Sequence, residues 1–365
     1  MGSKAHVCQA GMDTSFNTVP EQVCQLTSSH VLWDELRGAH LFITGGTGFI
    51  GRWLLETLAL AEARFNLGLR VCMLTRNPNR FTIEVPLLAS HPAFRFVTGD
   101  VRDFDFPAGD YSHILHLAAV SADATFNKAD PLMQFDIAYQ GTRRVLEFAA
   151  HCGARRLLMT SSGSVYGAAH LRNEYLTPED YIGAPLPSDL SAAPEHGKRA
   201  AEFLCEYYRQ KHGVETIIAR CFTFVGPRLP LDIHYAIGNF IRDALWGDEI
   251  TVHGDGTPIR SYLYIADLLI WLLVMLTRAP SGSLFNVGSD VPLSILQLAM
   301  LVRDTLALGK PVKVIGRQHV NLNRNIYVPN IERARATLQL DVWTDLAEAI
   351  LRTGNWYRTA IRERR

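Results

Sequence analysis

The chain has 365 residues, 48% of them hydrophobic, with 36 basic and 36 acidic side chains and no net charge. That is the composition of an ordinary globular protein of one large or two modest domains. The lack of any long basic block argues against nucleic acid or an anionic membrane as main partner, and the six cysteines show no CxxC spacing, so neither a metal site nor a disulfide framework is indicated.

Residues 1–30 are rich in Ser, Thr, Gln and small residues without periodicity; with a short helical stretch at 31–37 they read as an extension, 1–38, outside the main fold. From residue 39 the pattern alternates: strand 39–44, helix 49–63, strands 69–75, 94–98 and 112–118, helix 131–151, strand 155–161, helix 195–212 and strand 214–220. This rhythm predicts an α/β fold with a Rossmann-type doubly wound parallel sheet over 39–225, receiving segments around 258–290. After Gly226-Pro227 the chain changes character, with helices near 236–246, 265–277, 294–307 and 343–361, and a smaller, discontinuous substrate domain is expected over 226–365. The most apolar segment, 268–276, is about half the ~20 residues needed to cross a bilayer. With no signal pattern and with scattered cysteines, a cytoplasmic location is expected.

Thr44 to Gly51 reads Thr-Gly-Gly-Thr-Gly-Phe-Ile-Gly directly after the apolar run Leu41-Phe42-Ile43. Gly46, Gly48 and Gly51 fit the GxGxxG spacing, in which missing side chains permit a tight turn, close approach to a pyrophosphate and helix-to-strand packing. The helix starting near Phe49 aims free N–H groups at the anion. A glycine-rich turn that binds nothing is the bland alternative, and the flanking strand and helix weaken it. Thr160 to Gly167 (Thr-Ser-Ser-Gly-Ser-Val-Tyr-Gly) ends a predicted strand at the sheet's carboxyl edge, where hydroxyls meet a substrate or merely satisfy a turn. Lys198 lies in a helix 36 positions beyond Ser162.

In these motifs, together with Gly99-Asp100, His116-Leu117-Ala118-Ala119, Gly226-Pro227-Arg228, Gly254-Asp255-Gly256, Arg260 and Asn286-Val287-Gly288, the chain resembles the extended short-chain dehydrogenase/reductase superfamily, nucleotide-sugar epimerase and dehydratase branch, over roughly residues 39–340. The resemblance implies a nicotinamide coenzyme held by Gly45, Gly48, Phe49, Ile50 and Gly51. Asp100 and Val101 would flank the adenine, Leu117, Ala118 and Ala119 would line the channel, and Lys198 would hold the nicotinamide ribose. It implies a nucleotide-diphosphate sugar as substrate, with Ser162 at the reacting sugar oxygen and Ser164 beside it. Thr223, Arg260, Asn286 and Arg324 are further substrate contacts, the two arginines on the diphosphate; independently of the name, a guanidinium fork suits that group.

The family's reaction uses a Tyr four positions before the Lys, and here that position is Pro194, which carries no exchangeable proton. Of the nearby substitutes Glu195 fits best, three positions before Lys198 and on nearly the same helix face. His196 has a suitable pKa but points away, and Tyr175 or Tyr181 from the long insert is a third choice. Gly163-Ser164 stands where family dehydratases carry an Asp-Glu pair, which disfavours 4,6-dehydration and leaves epimerisation or keto-sugar redox chemistry. No acid ends the second strand; Arg76, with Arg80, favours NADP, with NAD possible. A catalytically lapsed relative that binds coenzyme and sugar nucleotide as scaffold or sensor is the alternative, supported by Pro194. Pairing of the helices at 131–151 and 195–212 is expected to form a homodimer.

Overall fold

A computed structural model describes residues 18–26, 33–119, 129–167, 176–233, 235–316 and 325–362. Seven parallel strands form one sheet: β1 (His40–Thr44), β2 (Arg70–Thr75), β3 (Phe94–Thr98), β4 (His113–His116), β5 (Arg156–Ser162), β6 (Glu215–Cys221) and β7 (Leu284–Val287). Their order is β3-β2-β1-β4-β5-β6-β7. All residues of β1 and β4 are buried, as strands covered on both faces must be. The strand order reverses between β1 and β4, which opens a crevice at their carboxyl ends, and doubly wound sheets bind ligands there. The seventh strand comes from a segment far along the chain, with Leu284 opposite Ile218 and Val287 opposite Cys221.

Among the described residues eight longer helices cover the sheet and build the rest: α1 (Val19–Leu26), α2 (Phe49–Phe65), α3 (Pro131–His151), α4 (Ala193–His212), α5 (Ala236–Trp246), α6 (Ile265–Arg278), α7 (Ile295–Leu306) and α8 (Leu346–Arg362). Asp130 caps α3 by accepting from the N–H groups of Leu132 and Met133, with Pro131 in the first turn. Gly213, at φ 71°, ends α4 in the left-handed conformation. α3 and α4 approach closely at Gly197, where a Cβ would meet the Phe135 carbonyl oxygen at 2.7 Å.

Every residue of α6 from Ile265 to Leu276 is buried. A helix apolar on nearly all sides belongs inside a core, and α6, whose one buried carboxylate Asp267 accepts from Trp343 and Thr344, packs against α1, α2 and β5. No helix among the described residues is long and apolar enough to cross a membrane. α1 revises the expectation for residues 19–26 alone, within the stretch read as lying outside the main fold. Its Val19, Val23 and Cys24 are buried against the core, a stripe at i, i+4, i+5 too short to stand out in a polar stretch.

Beyond the main sheet, α5, α7 and α8 pack together beside three small sheets. In one of them Ile259–Arg260 lies between Leu293–Ser294, antiparallel, and Ile326–Tyr327, parallel. That register places Tyr327 directly beside Arg260.

Candidate active site

The turn from β1 to α2 shows what each glycine does. Gly45 has φ +73°, and a Cβ there would sit 2.6 Å from the Ala118 nitrogen. At Gly51 a Cβ would lie 2.4 Å from the Gly45 carbonyl oxygen, so the helix can press against the turn only without a side chain. A Cβ on Gly46 would collide with the Met73 side chain. Gly48 differs, since its Cβ would meet only the Gly45 carbonyl oxygen, at 3.4 Å, an ordinary van der Waals contact. Gly48 is also the N-cap of α2, and no side chain caps that end, so the N–H groups from Phe49 and Ile50 onward stay available to an anion. Across the crevice the Ala118 N–H donates to Thr44 Oγ1 at 3.2 Å, fixing the Leu117–Ala119 segment beside the turn.

Ala118, Ala119, Thr160, Pro194 and Lys198 line one small cavity with His116. The position four residues before Lys198 thus faces the cavity as the family pattern requires, but Pro194 fills it. Burial lowers the Lys198 pKa, with Cys221, Glu195 and Glu202 acting the other way. Among the described residues no carboxylate lies within ion-pair distance of its ammonium. Glu195 therefore does not neutralise Lys198 as a direct pair. The carboxyl of Glu195 is raised above its ordinary value by burial, and its Oε2 is buried without a hydrogen-bond partner.

His196 is not part of this cluster: its Nε2 lies 3.2 Å from the Leu186 carbonyl oxygen, on the loop before α4, because two residues along a helix turn it away from Lys198. Tyr181 packs edge-on against Tyr166, ring centroids 6.0 Å apart, and Tyr175 lies outside the described residues. Ser162 Oγ accepts from the Ser164 N–H at 3.1 Å and donates to Ser164 Oγ at 3.0 Å, so both hydroxyls sit at the end of β5. Its neighbour Ser161 is structural, donating to Glu202, which also holds Arg220 through two hydrogen bonds.

Arg260 is partly buried and spends Nη1 on the carbonyls of Ile259 and Asn325. No carboxylate among the described residues pairs with it, and burial lowers its pKa, with Tyr262 and Tyr327 acting the other way. Arg324 lies outside the described residues. Thr223 follows β6, half-exposed, its carbonyl accepting from Leu263. Asn286 is fully buried, its Oδ1 accepts from Tyr166 and its Nδ2 donates to the carbonyls of Thr177 and Asn330, which commits three of the four amide hydrogen bonds to joining segments.

Arg76 is exposed at the end of β2, whereas Arg80 is engaged by Glu84 at 2.7 Å. Asp100 receives Arg102 at 2.8 Å, which holds its carboxyl below the usual range, and Val101 packs against Gly141. One residue beside the site was missed in the sequence. The hydroxyl of Tyr327 lies beside both serines, brought there by its pairing with the Arg260 strand, and only its position three residues after Arg324 hints at the site.

Residues 41–288 match the family model described as the NAD dependent epimerase/dehydratase family. The chain belongs to this family. UDP-glucuronic acid decarboxylase 6 of Arabidopsis thaliana is 29% identical over 340 residues, covering 92% of this chain and 93% of the relative. UDP-glucuronic acid decarboxylase 5 of the same plant is 31% identical, covering 75% and 77%. Among solved structures, UDP-glucuronic acid 4-epimerase from Bacillus cereus, in complex with UDP-glucuronic acid and NAD, superimposes with a TM-score of 0.74 at 22% identity, covering 88% of this chain and 99% of that one. The dTDP-glucose 4,6-dehydratase of Streptomyces venezuelae, with NAD bound, gives a TM-score of 0.71 at 25% identity, covering 88% and 97%.

The residues of this family member fit a nicotinamide dinucleotide. The missing side chain of Gly48 and the uncapped start of α2 suit a pyrophosphate, and the uncompensated Lys198 faces the cavity beyond.

Proposed function

We propose that the protein oxidises and re-reduces the sugar ring of a nucleotide-diphosphate sugar, by epimerisation or keto-sugar redox chemistry, with a proton carrier other than the usual tyrosine. The observation that carries this reading is Lys198, a half-buried cation with no carboxylate paired to it, opening on the cavity beside Ala118 and Ala119. An unpaired buried charge is costly, and a bound ribose and coenzyme would satisfy it. Bound coenzyme supplies hydride chemistry at its nicotinamide ring. Within the chain, Lys198 would hold the ribose, Ser162 would hydrogen-bond the sugar oxygen, Glu195 would be the final proton acceptor and Arg260 would grip the diphosphate. The relatives named for UDP-glucuronic acid make UDP-sugars the first class to test.

Arg76 favours the 2′-phosphorylated coenzyme, since no acid ends β2 to accept ribose hydroxyls; the NAD dependence of the family keeps NAD as the competitor. Arg76→Ala is expected to weaken NADP and leave NAD unchanged. We further propose a homodimer built on α3 and α4, whose outer faces expose Leu132, Phe203 and Tyr207. Light scattering on Phe203→Asp, read as monomer, tests it. The described cysteines are free thiols, in keeping with a cytoplasmic location.

The second reading, a lapsed enzyme that only binds, rests on Pro194. A panel of UDP-, dTDP-, CDP- and GDP-sugars with either coenzyme, read by nicotinamide absorbance and by solvent deuterium entering the sugar, separates the two. Turnover removes the lapsed reading. If no sugar reacts and Pro194→Tyr acquires activity, the proton carrier alone was missing and the lapsed reading stands.

A further inference from the structure

The phenol missing at position 194 has a counterpart on another element. The Tyr327 hydroxyl oxygen lies 3.5 Å from Ser162 Oγ, 3.4 Å from Ser164 Oγ and 3.4 Å from the Cys221 carbonyl oxygen. Its ring packs against Phe222, centroids 4.6 Å apart, and the Arg260 guanidinium carbon is 5.9 Å from the ring centre. The residue therefore bridges the arginine assigned to the diphosphate and the serine assigned to the reacting oxygen. The ring contacts alone would be met equally by Phe; three oxygens around the hydroxyl would not. The contacts are at the long limit of hydrogen bonding, as catalytic ones often are before substrate arrives.

We propose that Tyr327 is a catalytic proton carrier, exchanging the sugar-hydroxyl proton with Ser162 and relaying it through solvent water to the carboxylate of Glu195. This rests on the function proposed above. In the oxidising direction the C–H electron pair leaves as hydride for the nicotinamide ring of oxidised coenzyme. The sugar O–H proton passes to Ser162, the seryl proton to Tyr327 and the phenolic proton through a water molecule to Glu195, with which Tyr327 makes no direct hydrogen bond. The sugar carbon becomes a carbonyl, Glu195 becomes a neutral carboxyl group, and Ser162 and Tyr327 end as they began; reduction runs the same steps backwards. The electrostatics suit this division of labour. Burial, with Cys221 and Glu195, raises the Tyr327 pKa against the two serines, so the phenol rests protonated, while burial raises the Glu195 carboxyl above its ordinary value.

Tyr327→Phe keeps the ring contacts and removes only the hydroxyl. Calorimetry first establishes that wild-type protein binds NAD(P) and a UDP-sugar; failure there sinks the proposed function itself and is thereby told apart. With binding shown, single-turnover hydride transfer is expected to fall about 10²- to 10⁴-fold in Tyr327→Phe, with coenzyme affinity unchanged. A readout that needs no turnover uses carbon-13-labelled tyrosine, in which the resonance lost in Tyr327→Phe reports this phenol. It is expected to titrate above its ordinary value in free protein, and at lower pH after Glu195→Gln or on addition of oxidised coenzyme. Equal transfer rates in wild type and variant overturn the proposal, as does a resonance indifferent to both changes.

Discussion

Thr44 Oγ1 lies 2.7 Å from Nδ1 of His116, and the opposite ring nitrogen lies 3.0 Å from Thr142 Oγ1. The imidazole is thus clamped at the switch point of the sheet, where burial, with Lys198, pushes its pKa down to about 3.

This clamp makes stability depend on pH. Burial, with Arg156 and Arg155, likewise pushes His113 down to about 4. The unfolded chain takes up these protons below about pH 6.5, whereas the folded state does not. Stability is therefore full above that pH and falls as the pH drops, by about 1.4 kcal/mol per unit for each imidazole, until the folded groups titrate in turn. The thermal midpoint should decline from pH 7 to pH 5, and less steeply in His116→Asn; an equal slope in the variant would refute the assignment.

The glycine turn separates folding from binding. Gly48→Ala adds a methyl group that meets protein only at ordinary van der Waals distance and should keep the wild-type melting temperature, yet weaken coenzyme binding by about ten- to a hundredfold, about 1.4 to 2.7 kcal/mol. Gly45→Ala forces a left-handed residue into the Ala118 backbone and should cost about 1–3 kcal/mol of stability or more. Melting curves and calorimetry on the two variants check both statements.

Glu195 should set the acid limb of catalysis. Its carboxyl is raised above the ordinary value, so activity is expected to fall at a higher pH than an exposed glutamate would dictate. Glu195→Gln should lower kcat by about 10²-fold or more and flatten that limb. A kcat/KM profile that keeps the same limb in the variant would remove Glu195 from the mechanism.

Arg260→Ala should act on binding. Loss of a charge-assisted contact to the diphosphate is expected to weaken nucleotide-sugar binding by about 1.5–3 kcal/mol, roughly ten- to a hundredfold, with coenzyme affinity unaltered. Free nucleoside diphosphate should lose the same factor; affinity lost only for the complete sugar nucleotide would place Arg260 elsewhere.

The sequence by itself determined the doubly wound sheet and the dinucleotide turn, because both depend on local features. Strand and helix periods are written within each segment, and Gly45 and Gly51 are demanded by backbone packing a few residues away. The positions of Lys198 at the cavity and Ser162 at the end of β5 were legible for the same reason, as parts of short motifs. Tertiary structure alone decided what surrounds them. Tyr327 meets Ser162 across 165 positions because a two-residue strand pairs with Arg260, and such a pairing leaves no period to read. Asn286 and His196 are residue types that suit a ligand, yet long-range partners take up three hydrogen bonds of the first and helix rotation withdraws the second. Residue type and spacing specify which chemistry is possible; only packing assigns each polar group to the site or to the scaffold.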